Sequence, residues 1–130
     1  ILRGCFHASA EGGHIVLKGG EQLPLEPGQA SALLKRLGDG AEVLAGIRPD
    51  RMSPAEGAEG PQLKASIRMV EKLGMEQYIY CSYHGEEIVA RTLREAPEPG
   101  TDLTVAVDRT GIVFFDPESE MRIPTEDLDG

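Results

Sequence analysis

The side chains able to do chemistry are scattered along this chain and do not converge on any reaction. His7, His14 and His84 lack the spacing of zinc ligands and have no cysteine or carboxylate companions in a metal motif. His84 sits in a turn, where solvent exposure explains it. Gly12-Gly13 and Gly19-Gly20 are paired glycines, but no G-x-x-x-x-G-K-[ST] run follows to cradle a phosphate, so they read as hairpin turns. No serine lies in a G-x-S-x-G context, which leaves nucleophilic hydrolysis without support. Glu86 and Glu87 are a solvated hairpin end. Cys5 and Cys81 lie in apolar, strand-like runs and read as reduced core thiols, with a bridge as the alternative; reduced thiols imply a cytosolic setting. No catalytic, cofactor-binding or metal residue is therefore assigned, and this stretch is not expected to be an enzyme.

Composition narrows the partners. The formal net charge of -9 disfavours duplex DNA and anionic membrane surfaces. Aromatic residues make up 5% and tryptophan is absent, so a groove stacking bases or sugar rings has little to build with. No apolar run approaches the roughly 20 residues that span a bilayer. The opening Ile1-Leu2-Arg3-Gly4 has neither a starting Met nor the order of a signal peptide, which points to a piece of a longer protein. With 130 residues the size prior is one domain.

The elements that must position these residues are short. Leu2 to His7, His14 to Lys18 and Glu21 to Leu25 read as a glycine-punctuated meander whose third strand, containing Pro24, belongs at an edge. Ala30, Leu33, Leu34 and Leu37 recur at helical spacing, with Lys35 and Arg36 in the last turn and Gly38 as the stop. Glu42 to Arg48 is a strand with Val43, Leu44 and Ile47 buried. Pro49 ends it, and Asp50 is expected to cap a turn through Arg51 and Met52. Ser53 to Pro61 reads as a solvated loop. Leu63 to Val70 follows, with Leu63, Ala65, Ile67 and Met69 on one face and Gly74 marking a bend. Gln77 to Tyr83 and Glu86 to Leu93 form a hairpin about His84-Gly85. Leu103 to Val107 and a last strand, Ile112 to Phe115, precede an acidic tail expected to fray. The sum is a mainly β, small OB-type β-barrel of about eight or nine short strands with one short helix. Within the single domain, 1–45 holds the first strands and the helix, 46–116 the core, and 117–130 the tail.

A resemblance adds function. Gly46-Ile47-Arg48-Pro49-Asp50 matches a G-I-R-P-E pattern with Asp for Glu, and Val70 to Glu76 matches V-E-x-L-G-x-E in full. With Leu93 to Gly100, Phe115-Asp116, Leu2-Arg3-Gly4 and Leu23-Pro24-Leu25, these resemble the C-terminal regulatory region of ATP-binding subunits of ABC importers. The branch is the maltose and glycerol-3-phosphate, or carbohydrate-uptake, type. One departure is the helix-like insert around 29–37.

The resemblance implies a transport-associated OB-type (TOBE) regulatory and dimerisation domain without catalysis of its own. ATP and magnesium would belong to a nucleotide-binding domain absent from these residues, so no cofactor is expected here. The implied partners are a second copy of the same subunit, membrane permease subunits through that other domain, and regulatory proteins. No nucleic acid is among them. The implied location is cytoplasmic, peripheral on the inner face of the cell membrane. Gly46, Ile47, Arg48, Pro49, Asp50, Glu71, Leu73, Gly74, Glu76, Phe115 and Asp116 would carry the family motif or an interface. The planar Arg48 guanidinium is expected to pair with Glu71 or Glu76, within one subunit or across two. The alternative is a small-ligand sensor for a sugar or oxyanion. Against the oxyanion stand the acidic charge and the lack of the Ser-Ala-Arg-Asn pattern of molybdate-binding relatives.

Overall fold

The computed structural model describes residues 1–10, 12–55 and 60–125, which form two compact units. One is built from Leu2–Gly46 and Ile112–Gly130, the other from Ile47–Gly111 with Ile1.

The first unit holds a six-stranded sheet. Its strands are β1 (Leu2–Ser9), β2 (Gly12–Leu17), β3 (Gln22–Pro24), β4 (Glu42–Gly46), β10 (Val113–Phe115) and β11 (Arg122–Ile123), in the order β11-β10-β4-β1-β2-β3. Pro24 has no N–H to give a ladder, and β3 is accordingly an edge. Alternation along β1 buries Leu2 and Phe6 and leaves Arg3, Cys5 and His7 outside. Cys5 is thus an exposed free thiol, not the core thiol expected, because its strand parity aims it outward. Between Leu2 and Phe6, Gly4 faces inward where β2 crosses close. A Cβ there would stand 2.5 Å from the Ile15 side chain and 2.8 Å from the Val16 carbonyl oxygen.

Helix α1 (Pro27–Arg36) lies against β2. Pro27 opens it with a preset φ, and the Glu26 N–H donates to Gln29 Oε1 at 2.9 Å. Gly38, at φ 92°, closes it, its N–H donating to the Leu34 carbonyl. The buried face is Gln29, Ala30, Ala32 and Leu33, rotated from the one the leucine spacing indicates, and Leu34 is 48% exposed. Small alanines let the helix approach the sheet on that side. The tail also departs from expectation at its start. Phe114 pairs with Ile123, which is buried, so part of the acidic run after Asp116 is held as a strand. Residues 126–130 of that tail lie outside the described residues.

The second unit holds β5 (Met52–Pro54), β6 (Gln62–Leu73), β7 (Glu76–Tyr83), β8 (Glu86–Thr92) and β9 (Asp102–Val107), in the order β5-β9-β6-β7-β8. The sheet curls until β8 approaches β5, making a half-closed barrel. Its core includes Leu63, Ile67, Ile79, Cys81, Tyr83 and Val105. Burial pushes the Cys81 thiol up to about 11 and keeps it neutral. Met52–Pro54, expected as turn and loop, instead pairs with Val105 to Val107 as an edge strand; residues 56–59 of that loop lie outside the described residues.

Two turns organise the long strands. His84 and Gly85 both adopt positive φ, 46° and 85°, the form that matches the twist of a two-residue hairpin. Gly74, at φ 64°, is a second hairpin turn between β6 and β7 and not a bend within a strand. The irregularity lies earlier. Pairing with β7 shifts between Ile67 and Met69, so Arg68 is an extra residue and Met69 turns outward, 50% exposed.

Gly4→Ala is expected to destabilise the chain by about 1–3 kcal/mol through overpacking against Ile15 and Val16. Urea denaturation of the two proteins measures this, and an unchanged midpoint would mean the strands part freely.

Candidate functional site

The motif residues divide between the two units. In the first, Gly46 ends β4 opposite Val113, and the Phe115 ring covers it; a Cβ on Gly46 would lie 3.0 Å from Phe115 Cε2. Glycine is there to admit the ring. Asp116 closes the next turn, its carboxylate accepting the Glu118 N–H at 2.8 Å.

In the second unit, Arg48 is extended at φ -71° and ψ 149°, as the following proline requires. Pro49–Arg51 then forms one 3-10 turn, closed by the Arg51 N–H on the Arg48 carbonyl. Asp50 lies inside that turn, so it is not the cap expected. Its carboxylate stands 3.4 Å from Arg48 Nε, and the Arg48 side chain is 78% exposed. Within this chain Arg48 does not pair with Glu71 or Glu76: the local pair with Asp50 takes its place and both glutamates accept from tyrosines. The turn is clamped by Arg51, whose guanidinium meets Asp108 at 2.8 Å while its carbonyl accepts the Asp108 N–H. The Thr110 hydroxyl and N–H donate to Asp108, and with Arg51 they hold its carboxyl down to about 2.

Glu71 and Glu76 stand at the β6–β7 hairpin on its outward face. The Tyr80 hydroxyl donates to Glu71 at 3.2 Å and the Tyr78 hydroxyl donates to Glu76 at 3.0 Å. Glu76 also meets Arg91 of β8 at 3.7 Å. The bond to Glu76 raises the Tyr78 hydroxyl above the ordinary phenol range, and Asp50 adds to the shift. The 3-10 turn packs on β8, on which Arg91 meets Glu76. Leu73, 54% exposed, and Gly74 form the tip beyond them. Sequence reasoning missed Tyr78, Tyr80 and Arg91. Their signal was alternation, since residues two apart on a strand share a face.

Across the strands, Met69, Tyr80 and Val89 make one row and Glu71, Tyr78 and Arg91 the next. Aromatic, methionine and arginine side chains on one face suit docking more than catalysis. Among the described residues no group of three or more His, Cys, Asp or Glu could hold a metal ion. A separate cleft of about 250 Å³ is lined by Pro54, Thr92, Arg94, Leu103 and Thr104.

A half-closed β-barrel with an outward tyrosine–glutamate face defines a small OB-type fold. Residues 45–115 match the TOBE domain model, and the chain belongs to that family. It is 30% identical over 120 residues to the sulfoquinovosyl glycerol transport ATP-binding protein SmoE of Agrobacterium fabrum, covering 89% of this chain and 32% of that protein. It is 38% identical over 85 residues to the sn-glycerol-3-phosphate import ATP-binding protein UgpC of Chromobacterium violaceum, covering 65% and 23%. To the oligosaccharides import ATP-binding protein MsmX of Bacillus subtilis it is 34% identical over 110 residues, covering 81% and 30%. The chain thus spans about a third or less of these relatives. The fold is shared with the cytoplasmic molybdate-binding protein ModG, at TM-score 0.70 and 20% identity over 89% of this chain and 94% of that one.

Thr110→Val is expected to raise the Asp108 pKa from about 2 towards the ordinary carboxylate value. A depressed folded-state pKa lends stability that is present above the unfolded value and lost as pH falls towards 2. In the variant the contribution is smaller and its loss is complete at a higher pH, which acid titration followed by NMR and unfolding would show.

Proposed function

We propose that this chain is the regulatory and dimerisation portion of the ATP-binding subunit of an ABC importer for sugars or related solutes, such as maltose-type oligosaccharides or glycerol 3-phosphate. ATP and magnesium act in another domain of that subunit, and this portion does no chemistry. The subunit lies on the cytoplasmic side of the cell membrane, bound to permease subunits, and pairs with a second copy of itself. The family match and the named relatives support the transporter assignment.

The observation that carries the dimerisation role is the outward face of β6, β7 and β8. Its middle row runs from negative Glu71 through Tyr78 to positive Arg91. A two-fold axis along β7 sets Glu71 against Arg91 of the second copy and Met69 against Val89. The face is self-complementary in both charge and apolarity, as an isologous contact requires.

Gel filtration with light scattering on the whole subunit tests this. Glu71→Arg and Arg91→Glu should each shift the mass towards monomer, and the double exchange should restore the dimer. An unaltered mass distribution in both single variants counts against this face.

The fold shared with ModG, whose structure was determined with molybdate bound, and the cleft beside β5 favour a second reading as a small-ligand sensor. Titration calorimetry with sugars, glycerol 3-phosphate and molybdate separates the two. No heat is expected, and one saturable signal would reverse their order.

A further inference from the structure

The outward face of the first unit carries a feature that docking does not use. His7 on β1 and His14 on β2 are direct cross-strand partners. Their rings lie 5.6 Å apart between centroids, tilted by 31°. His7 is exposed and His14 half-buried, so both are open to solvent. Among the described residues neither imidazole has a hydrogen-bond partner. Neighbouring Arg3 is engaged with Glu42 at 2.6 Å.

We propose that His7 and His14 form an open two-imidazole site for a borderline divalent transition metal, with copper(II) held most tightly. The geometry supports this. A metal–nitrogen bond of about 2.0 Å places the ion about 3.2 Å from each ring centre, which sets the centres about 5.2 Å apart at a tetrahedral angle and about 4.5 Å apart at the right angle of a square-planar ion. The observed 5.6 Å differs by a few tenths of an ångström from the first and about 1 Å from the second, a closure that side-chain rotation on exposed strands supplies. The β1–β2 ladder fixes both backbones, so the second imidazole binds intramolecularly once the first has bound. Among the described residues no group of three or more His, Cys, Asp or Glu could hold a metal ion, so the site offers two imidazoles with further positions open to water. Imidazole suits copper, nickel and zinc, and copper(II) leads the divalent series. The chain's net charge of -9 favours the approach of a cation.

The test uses the whole chain in a Cys5→Ser background, which prevents thiol oxidation by copper. Calorimetry with nickel(II) and copper(II), and copper EPR, should show one saturable site with two nitrogen ligands. His7→Gln and His14→Gln should each weaken binding about a hundredfold, whereas His84→Gln should leave it unchanged. Bound metal should also raise the unfolding midpoint only when both imidazoles are present, because the unfolded chain does not hold them together. If His14→Gln fails to fold, the exposed His7→Gln carries the same comparison. Absence of binding in the Cys5→Ser background, or affinity unaltered by either His7→Gln or His14→Gln, overturns the proposal.

Discussion

The outward face of the second unit depends on one extra residue. Strand β6 pairs with β9 on one side and β7 on the other, and its first half buries Leu63, Ala65 and Ile67 against the core. Burying each large aliphatic contributes about 1.5–3 kcal/mol, so that half cannot slip. At Arg68 the ladder takes in the extra residue and parity reverses. From there Met69, Glu71 and Leu73 face outward beside Tyr80 and Tyr78. Without the bulge, Met69 would take the inward position opposite Ile79 that Val70 holds, and Glu71 would turn inward opposite Gln77.

The polar contacts on that face act as positioning devices more than as sources of stability. Exposed ion pairs contribute about 0–1 kcal/mol each, and the Glu76–Arg91 and Arg48–Asp50 pairs are of that kind. Their effect is geometric. Each glutamate of the hairpin is held by a tyrosine hydroxyl, which fixes the ring's direction and keeps the phenol protonated. The Arg51–Asp108–Thr110 clamp does the same for the 3-10 turn, so the proline-stop motif presents a set shape.

Much of the fold was legible from local rules. The His84-Gly85 hairpin, the first meander and the edge placement of the Pro24 strand follow from turn chemistry and from the missing proline N–H. The helix followed from periodicity, although Ala32 and Gln29 supplanted Leu34 on its buried face. What local rules missed was non-local. Nothing in Ile67-Arg68-Met69 announces a bulge, because all three fit a strand and the partner's register decides which residue is extra. Ile123, in an acidic run, pairs with Phe114 only because the chain returns. Within the chain Arg48 pairs with Asp50, two residues away, and with neither glutamate.

The sequence by itself determined a mainly β chain with glycine-set hairpins, an extended Arg48 before its proline and a match to the TOBE family over residues 45–115. These depend on backbone preferences and two-residue alternation, which are written locally. Tertiary structure decided which faces those strands present. It put Cys5 outside and Cys81 inside, turned Met69 and Glu71 outward, and set His7 opposite His14. Strand register is settled by partners distant in the chain, and a shift of one residue exchanges the two faces.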